Sequence, residues 1–188
     1  MDKTDNELVS LILNATNPTE KRRLQGMLYD RIIGQVYRKS LYMVHNKEIA
    51  KDLTHDIILK VFLKLDSFRG DSQFQQWVSA ISFNHCLTYL EKKNKVKHEE
   101  IDLVYPELSS NDHEFEEKNL LENELNCLEL VMDKISTHEK ALLIMRYYDE
   151  MPIKEIASAL NIGESAAKMR LLRIRESLSM LIEEEDCE

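Results

Sequence analysis

The sequence predicts an all-α protein: two small helical domains joined by an acidic flexible linker. Three observations point there. Apolar residues recur at helical spacing through most of the chain, and no alternating run of Val, Ile, Thr or aromatic residues reads as a strand. With 4 Gly and 3 Pro in 188 residues, long helices meet few breakers. Charge is also segregated: residues 1–97 carry +5, 98–133 carry −11, 134–181 carry +2 and 182–188 carry −5, within a net −9. Two mildly basic modules separated by acids set the expected boundaries at 1–97, 98–118 and 119–188.

Residues 4–16 open on capping residues and set Leu8, Leu11, Ile12 and Ala15 on one side. A short amphipathic helix is expected there, ending before Asn17-Pro18. From Glu20 to about Val44, Leu24, Leu28, Ile32 and Val36 form the stripe of a longer helix, widened by Met27 and Leu41. Its cations Arg22, Arg23, Arg31, Arg38 and Lys39 read as a solvated face. The corner His45-Asn46-Lys47 leads to a helix over Lys47–Leu65 that buries Ile49, Leu53, Ile57, Val61 and Leu65. Asp52, His55, Asp56, Leu59 and Lys60 include candidates for its outer faces, while Ile58 and Phe62 fit either core or binding surface.

Residues 67–72, containing Arg69-Gly70-Asp71, form a turn or short loop. A helix resumes near Gln73 with Phe74, Trp77, Val78, Ile81 and Leu87 among its apolar residues, Trp77 reading as a core anchor. It leaves through residues 91–97, whose lysines suit either a phosphate backbone or the negative end of the helix dipole. Residues 98–118 are charged, contain Tyr105-Pro106 and lack helical periodicity, so an extended tether is expected. Helix returns around Glu114 or Glu117 with Leu121, Leu125, Leu128 and Met132.

Residues 151–178 read as two short helices joined by a tight corner. Pro152 favours a helix start, and Ile153, Ile156, Ala157 and Leu160 come after it at helical spacing. Asn161 tolerates the left-handed conformation that ends a helix, Ile162 is pinned in the corner, and Gly163 can cap the second helix. On that helix Ala167, Leu171, Ile174 and Leu178 share an inward stripe. Ser165, Met169 and Leu172 point away from it, Ala166 and Arg173 lie on one shoulder, Lys168 and Arg175 on one flank and Arg170 on the other. Such a helix-turn-helix can lay small outer residues against base edges while its cations reach phosphates.

Other classes recede. The apolar runs are too short to span a bilayer, and the polar start is not a signal peptide. Cys86, Cys127 and Cys187 are widely spaced, which speaks against a disulfide framework and suits a reduced cytoplasm. No His, Cys or Asp cluster has metal-ligand spacing, so no catalytic residue, metal or cofactor is expected, and an enzyme is not. A stand-alone helix-turn-helix repressor or activator, binding a symmetric duplex by itself, is the alternative reading.

Taken together, these stretches resemble the extracytoplasmic-function sigma factors of bacterial RNA polymerase, of the sigma-70 superfamily. Residues Ala50 to Asp56 resemble that family's A-E-D-hydrophobic-x-Q-E segment, departing at Lys51 and His55. Asp66-Ser67-Phe68-Arg69-Gly70-Asp71, with Phe74, Trp77, Ile81 and Asn84 after it, resembles its D-x-F-R-G-x…W…I-A-x-N run. Arg146-Tyr147, Glu155-Ile156-Ala157, Lys168, Arg170-Leu171, Arg173 and Arg175 match its C-terminal domain, with departures at Gly163, Ala166 and Met169.

The resemblance implies a transcription initiation factor that binds polymerase core and directs it to promoters. It implies that Asp52, His55, Ile58 and Leu59 dock on the clamp of the largest subunit, with the flap of the second-largest as a further contact. Arg69, Gly70, Asp71, Ser72, Gln73, Asn84, Lys92 and Lys93 would hold the melted −10 element. Ser165, Ala166, Lys168, Met169, Arg170, Arg173 and Arg175 would hold the −35 element. An anti-sigma partner is expected on the same ground, with no membrane insertion by the chain itself.

Overall fold

The computed structural model describes residues 3–99, 131 and 134–184. The expected linker at 98–118 and the returning helix with Leu121, Leu125, Leu128 and Met132 lie, beyond Glu99, outside the described residues. Every regular element among the described residues is helical, as the apolar spacing requires.

Helix α1 spans Asp5–Asn14. Thr4 accepts from the Glu7 N–H, and the Glu7 carboxylate accepts from the Thr4 N–H at 2.7 Å, so two orphan donors are satisfied reciprocally. Helix α2 spans Pro18–Val44. Asn17 caps it through the Thr19 and Glu20 N–H groups, and Pro18 stands in the first turn, where its missing donor costs nothing. The helix ends at His45, whose φ of 48° is left-handed. Asn46 then caps α3, Lys47–Leu63, and a single 3₁₀ turn at Leu65–Ser67 leads through a loop to α4, Phe74–Glu99. Leu8, Ile12, Leu28, Ile32, Ile57, Val61, Phe74 and Phe83 fill the centre of this four-helix module.

In the second module, α5 spans Thr137–Leu143 under another reciprocal cap between Ser136 and Glu139. Its last turn widens into a π-turn at Ile144–Tyr148. Helix α6, Ile153–Ala159, and helix α7, Glu164–Glu184, complete it. Pro152 is the residue before the first helical one, in extended conformation, so it sets the entry to α6 from just outside. Asn161, at φ 52°, makes the corner, and the Ile162 N–H closes the turn on Ala157 O at 2.9 Å. Met145, Met151, Ile156, Ala167 and Ile174 are buried beneath α7 and its neighbours.

The modules pack against each other. Asn84 on α4 donates its side-chain amide to Ala159 O on α6 at 2.7 Å, and His138 approaches Glu91 at 3.3 Å. Lys39 departs from the solvated face expected for α2: its side chain is 7% exposed and pairs with Asp149 of the second module at 2.6 Å. A helical wheel of α2 alone assigns Lys39 to water, but Ser79 of α4 and Asp149 of the second module enclose it, while Arg22, Arg23 and Arg38 stay exposed.

Candidate nucleic-acid interface

The loop at residues 68–73 is held at both ends by aromatic packing. Phe68 meets Phe74 edge-on at 5.3 Å between centroids, and both rings lie within 5.6 Å of Trp77. Trp77 is only partly buried, its ring filling the space between the loop's two anchors. Gly70 has φ 78°, a conformation that a Cβ would strain even though open space surrounds it. Arg69, Asp71 and Gln73 are exposed, and Ser72 is half-buried. Their polar groups thus stand on a fixed arc.

Helix α1 supplies the support that the sequence reading missed. Asn6 Oδ1 accepts from the Phe74 N–H at 2.9 Å, standing in for an N-cap that the local sequence does not provide. The Asn6 amide reaches Ser72 O at 3.4 Å, and Asp5 accepts from Gln75 at 3.0 Å and from Arg31 at 2.9 Å. One end of α1 therefore pins loop, α2 and α4 together. The only sequence signal was a polar pair that local capping already explained.

Farther along α4, Asn84, Lys92 and Lys93 are exposed. The Asn84 amide donates to Ala159 O at 2.7 Å, while the side chain stays exposed. Below it, His85 lies between Lys60 and Asp56, with its Nε2 3.5 Å from Asp56 Oδ2. Burial pushes the His85 pKa below its usual value, and the Lys60 charge adds to this. Cys86, one position on, is buried, and its thiol is pushed up to about 11 by that burial. It is a packing residue beside Ser40.

On α3, Asp52, His55 and Leu59 face solvent, but Ile58 does not: it is 6% exposed and belongs to the core, which corrects its place among the surface contacts. The heptad-like spacing explains why. Positions 50, 54, 57, 58 and 61 turn inward, leaving 52, 55, 59 and 63 as the outer stripe. Leu59 is 61% exposed and Leu63 80%, an apolar pair one turn apart. Leu63 went unnoticed as a surface residue, although its four-residue spacing from Leu59 was there to be read.

On α7, Ala167, Leu171 and Ile174 are buried, as the wheel required. Ser165, Ala166, Lys168, Met169, Arg170, Arg173 and Arg175 are all exposed, save that Ala167 between them turns inward. Arg146, on the preceding π-turn, donates to Met151 O at 3.1 Å and so braces the entry to α6. The two faces converge: Asn84, Thr88 and Glu91 of α4 line a cavity of about 760 Å³ together with Arg170 and Arg173 of α7. Among the described residues no group of His, Cys, Asp or Glu could hold a metal ion, and no helix is long and apolar enough to cross a membrane.

A helical module with a braced polar loop, tied to a cationic helix-turn-helix, defines a DNA-reading protein. Known proteins name the kind. The family model described as Sigma-70 region 2 matches residues 28–96, and that described as Sigma-70, region 4 matches residues 125–178. The ECF RNA polymerase sigma factor SigX of Bacillus subtilis is 24% identical over 169 residues, covering 84% of this chain and 85% of that protein. SigM of the same organism is 25% identical over 158 residues, covering 82% and 92%. Among solved structures, CnrH in complex with the cytosolic domain of CnrY has a TM-score of 0.63 at 18% identity, covering 96% of this chain and 98% of that one. RpoE in complex with the anti-sigma factor NepR from Bartonella quintana has a TM-score of 0.62 at 16% identity, covering 84% and 96%. These two share the fold. The chain belongs to the sigma-70 family, in its extracytoplasmic-function group. It is a transcription initiation factor that directs RNA polymerase to promoters.

Proposed function

We propose that each exposed face serves one step of initiation. The outer stripe of α3, with Asp52, His55 and Leu59 joined by Leu63, docks on the clamp of the polymerase's largest subunit, and the second module meets the flap of the second-largest. An apolar pair rimmed by polar groups suits an interface with a desolvated centre. The loop Arg69, Gly70, Asp71, Ser72 and Gln73 receives an extruded base of the −10 element, with Asn84, Lys92 and Lys93 along the strand. Extruding a base costs a few kcal/mol, which a rigid pocket and cationic backbone contacts offset. Ser165, Ala166 and Met169 approach the bases of the −35 element while Lys168, Arg170, Arg173 and Arg175 hold phosphates.

In this reading residues 1–97 and 119–188 are the two working domains and 98–118 the tether. The protein has no catalytic site of its own, acts in the cytoplasm, and is restrained by an anti-sigma factor. The observation carrying the assignment most directly is the loop geometry: Gly70 at φ 78° between two aromatic anchors, with α1 capping the helix behind it. Run-off transcription tests it, using purified core polymerase and a pool of genomic promoter fragments. New start sites that need this protein are the expected result. Tight binding of the free protein to a symmetric duplex, with no core binding and no new starts, would replace it with a stand-alone repressor.

A further inference from the structure

We propose that His85 is a positioning residue for the docking face of α3: lying beneath that face, its ring holds Lys60 and receives Asp56, so that the two opposite charges enter the contact with polymerase as one linked pair. The proposal rests on the docking role assigned to α3 under the proposed function, and adds the side chain that arranges its polar rim.

The placement follows from two helices. Asp56 and Lys60 lie one turn apart on α3, both exposed, beside the exposed Leu59 and Leu63. His85 reaches them from α4, with 15% of its side chain exposed. Lys60 Nζ is within hydrogen-bond reach of His85 Nδ1. An ammonium has only donors, so Nδ1 is the acceptor and carries no proton. The proton of the neutral ring is therefore on Nε2. That atom is buried with no hydrogen-bond partner, and Asp56 Oδ2 stands 3.5 Å away, just too far. The chain from Lys60 through His85 to Asp56 is closed at one end and open at the other.

Docking closes it. The Asp56 side chain is 62% exposed, so water competes with the ring for its carboxylate. A partner surface that excludes this water leaves the Nε2–H as the nearest donor, and a small movement of the carboxylate completes the hydrogen bond. Without the ring, Lys60 and Asp56 would each lose hydration with no fixed partner, which is the costly way to bury a charge. With it, one neutral group on a packed helix satisfies both.

The bridge needs a neutral ring. The charges acting on that ring are Lys60 and Asp56 from α3 and Lys92 from its own helix, and burial is the largest influence, so its pKa lies below the usual 6.5. A proton on Nδ1 would expel Lys60, and docking dries the ring further. The docked state therefore binds fewer protons than the free one. Docking is at full strength above pH 6.5 and weakens as pH falls through the lowered value.

Surface plasmon resonance on immobilised core polymerase tests the bridge, read from above to below pH 6.5 at constant ionic strength. The proteins compared are the full chain, His85→Leu, His85→Gln and Leu59→Ala, each first checked by urea unfolding. His85→Leu fills the space without either nitrogen; it should leave core roughly fivefold or more faster, with association unchanged. His85→Gln can accept from Lys60 and donate to Asp56 but does not titrate. It should match the parent above pH 6.5 and keep its capture below, where the parent loses it. A His85→Leu variant that dissociates like the parent, or a parent whose capture does not weaken relative to His85→Gln at low pH, would overturn the bridge. Nitrogen NMR of the imidazole puts it at risk without polymerase: the proton is expected on Nε2, and a proton on Nδ1 in the neutral ring would end the proposal even if no variant folded. Leu59→Ala separates this from the functional reading. If it leaves capture unchanged, the docking role of α3 fails and the bridge with it; if it weakens capture while His85→Leu does not, only the bridge is lost.

Discussion

Asn6 shows how much of the loop at residues 68–73 depends on a single side chain. It accepts from the Phe74 N–H and donates to Ser72 O, 68 and 66 residues away in the chain. Asn6→Ala leaves that helix-initiating N–H without its acceptor, at a cost of about 1 kcal/mol in urea unfolding. Promoter opening should fall further than stability, because the loop itself loosens; permanganate footprinting of the −10 strand reads that difference. His85 carries a second expectation. Its pKa is lowered in the folded protein, chiefly by burial and next by Lys60, from a usual 6.5. The unfolded chain then binds more protons over the window below 6.5, so stability is at its full value above that pH and declines as pH falls through it. His85→Gln should flatten the dependence just below pH 6.5, leaving the decline at lower pH to carboxylates such as Glu7, whose pKa its hydrogen bonds to Thr4 lower from 4.5.

At the scale of the helix, α3 separates two roles within one turn. Ile58 is packed in the core whereas Leu59 and Leu63 are exposed. Ile58→Ala should cost about 2–5 kcal/mol of stability, as large-to-small core changes do. Leu59→Ala and Leu63→Ala should stay within about 0.5 kcal/mol of the parent yet weaken capture by core polymerase, measured by surface plasmon resonance. The stripe on the sequence wheel ran through Ile57 and Val61, and a neighbour at 100° such as Ile58 could fall on either side of it. A helix packed on several sides widens its buried face, and only its neighbours set that width. On α7 the wheel was sufficient, because one face packs and the rest is solvated. There, Arg173→Ala should lower the log-log salt slope of promoter-duplex binding by about one unit, uniformly across sequences.

For the whole molecule, helix class, helix order, the helix-turn-helix and the family were legible in the residues themselves. Those features depend on interactions within a few residues: the 3.6-residue period, the caps at Thr4, Asn17, Asn46 and Ser136, and the left-handed corner at Asn161. Local physics acts identically wherever the chain later goes, so the sequence determines it. Tertiary structure decided three other things: that Lys39 is buried against Asp149, that Asn6 caps a helix at the far side of its module, and that Asn84 faces Ala159. Each depends on a partner more than sixty residues distant, and a lysine, an asparagine or an aspartate looks the same in sequence whether it meets water or another element. Desolvation is a property of the packed surface, which exists only once the helices have come together.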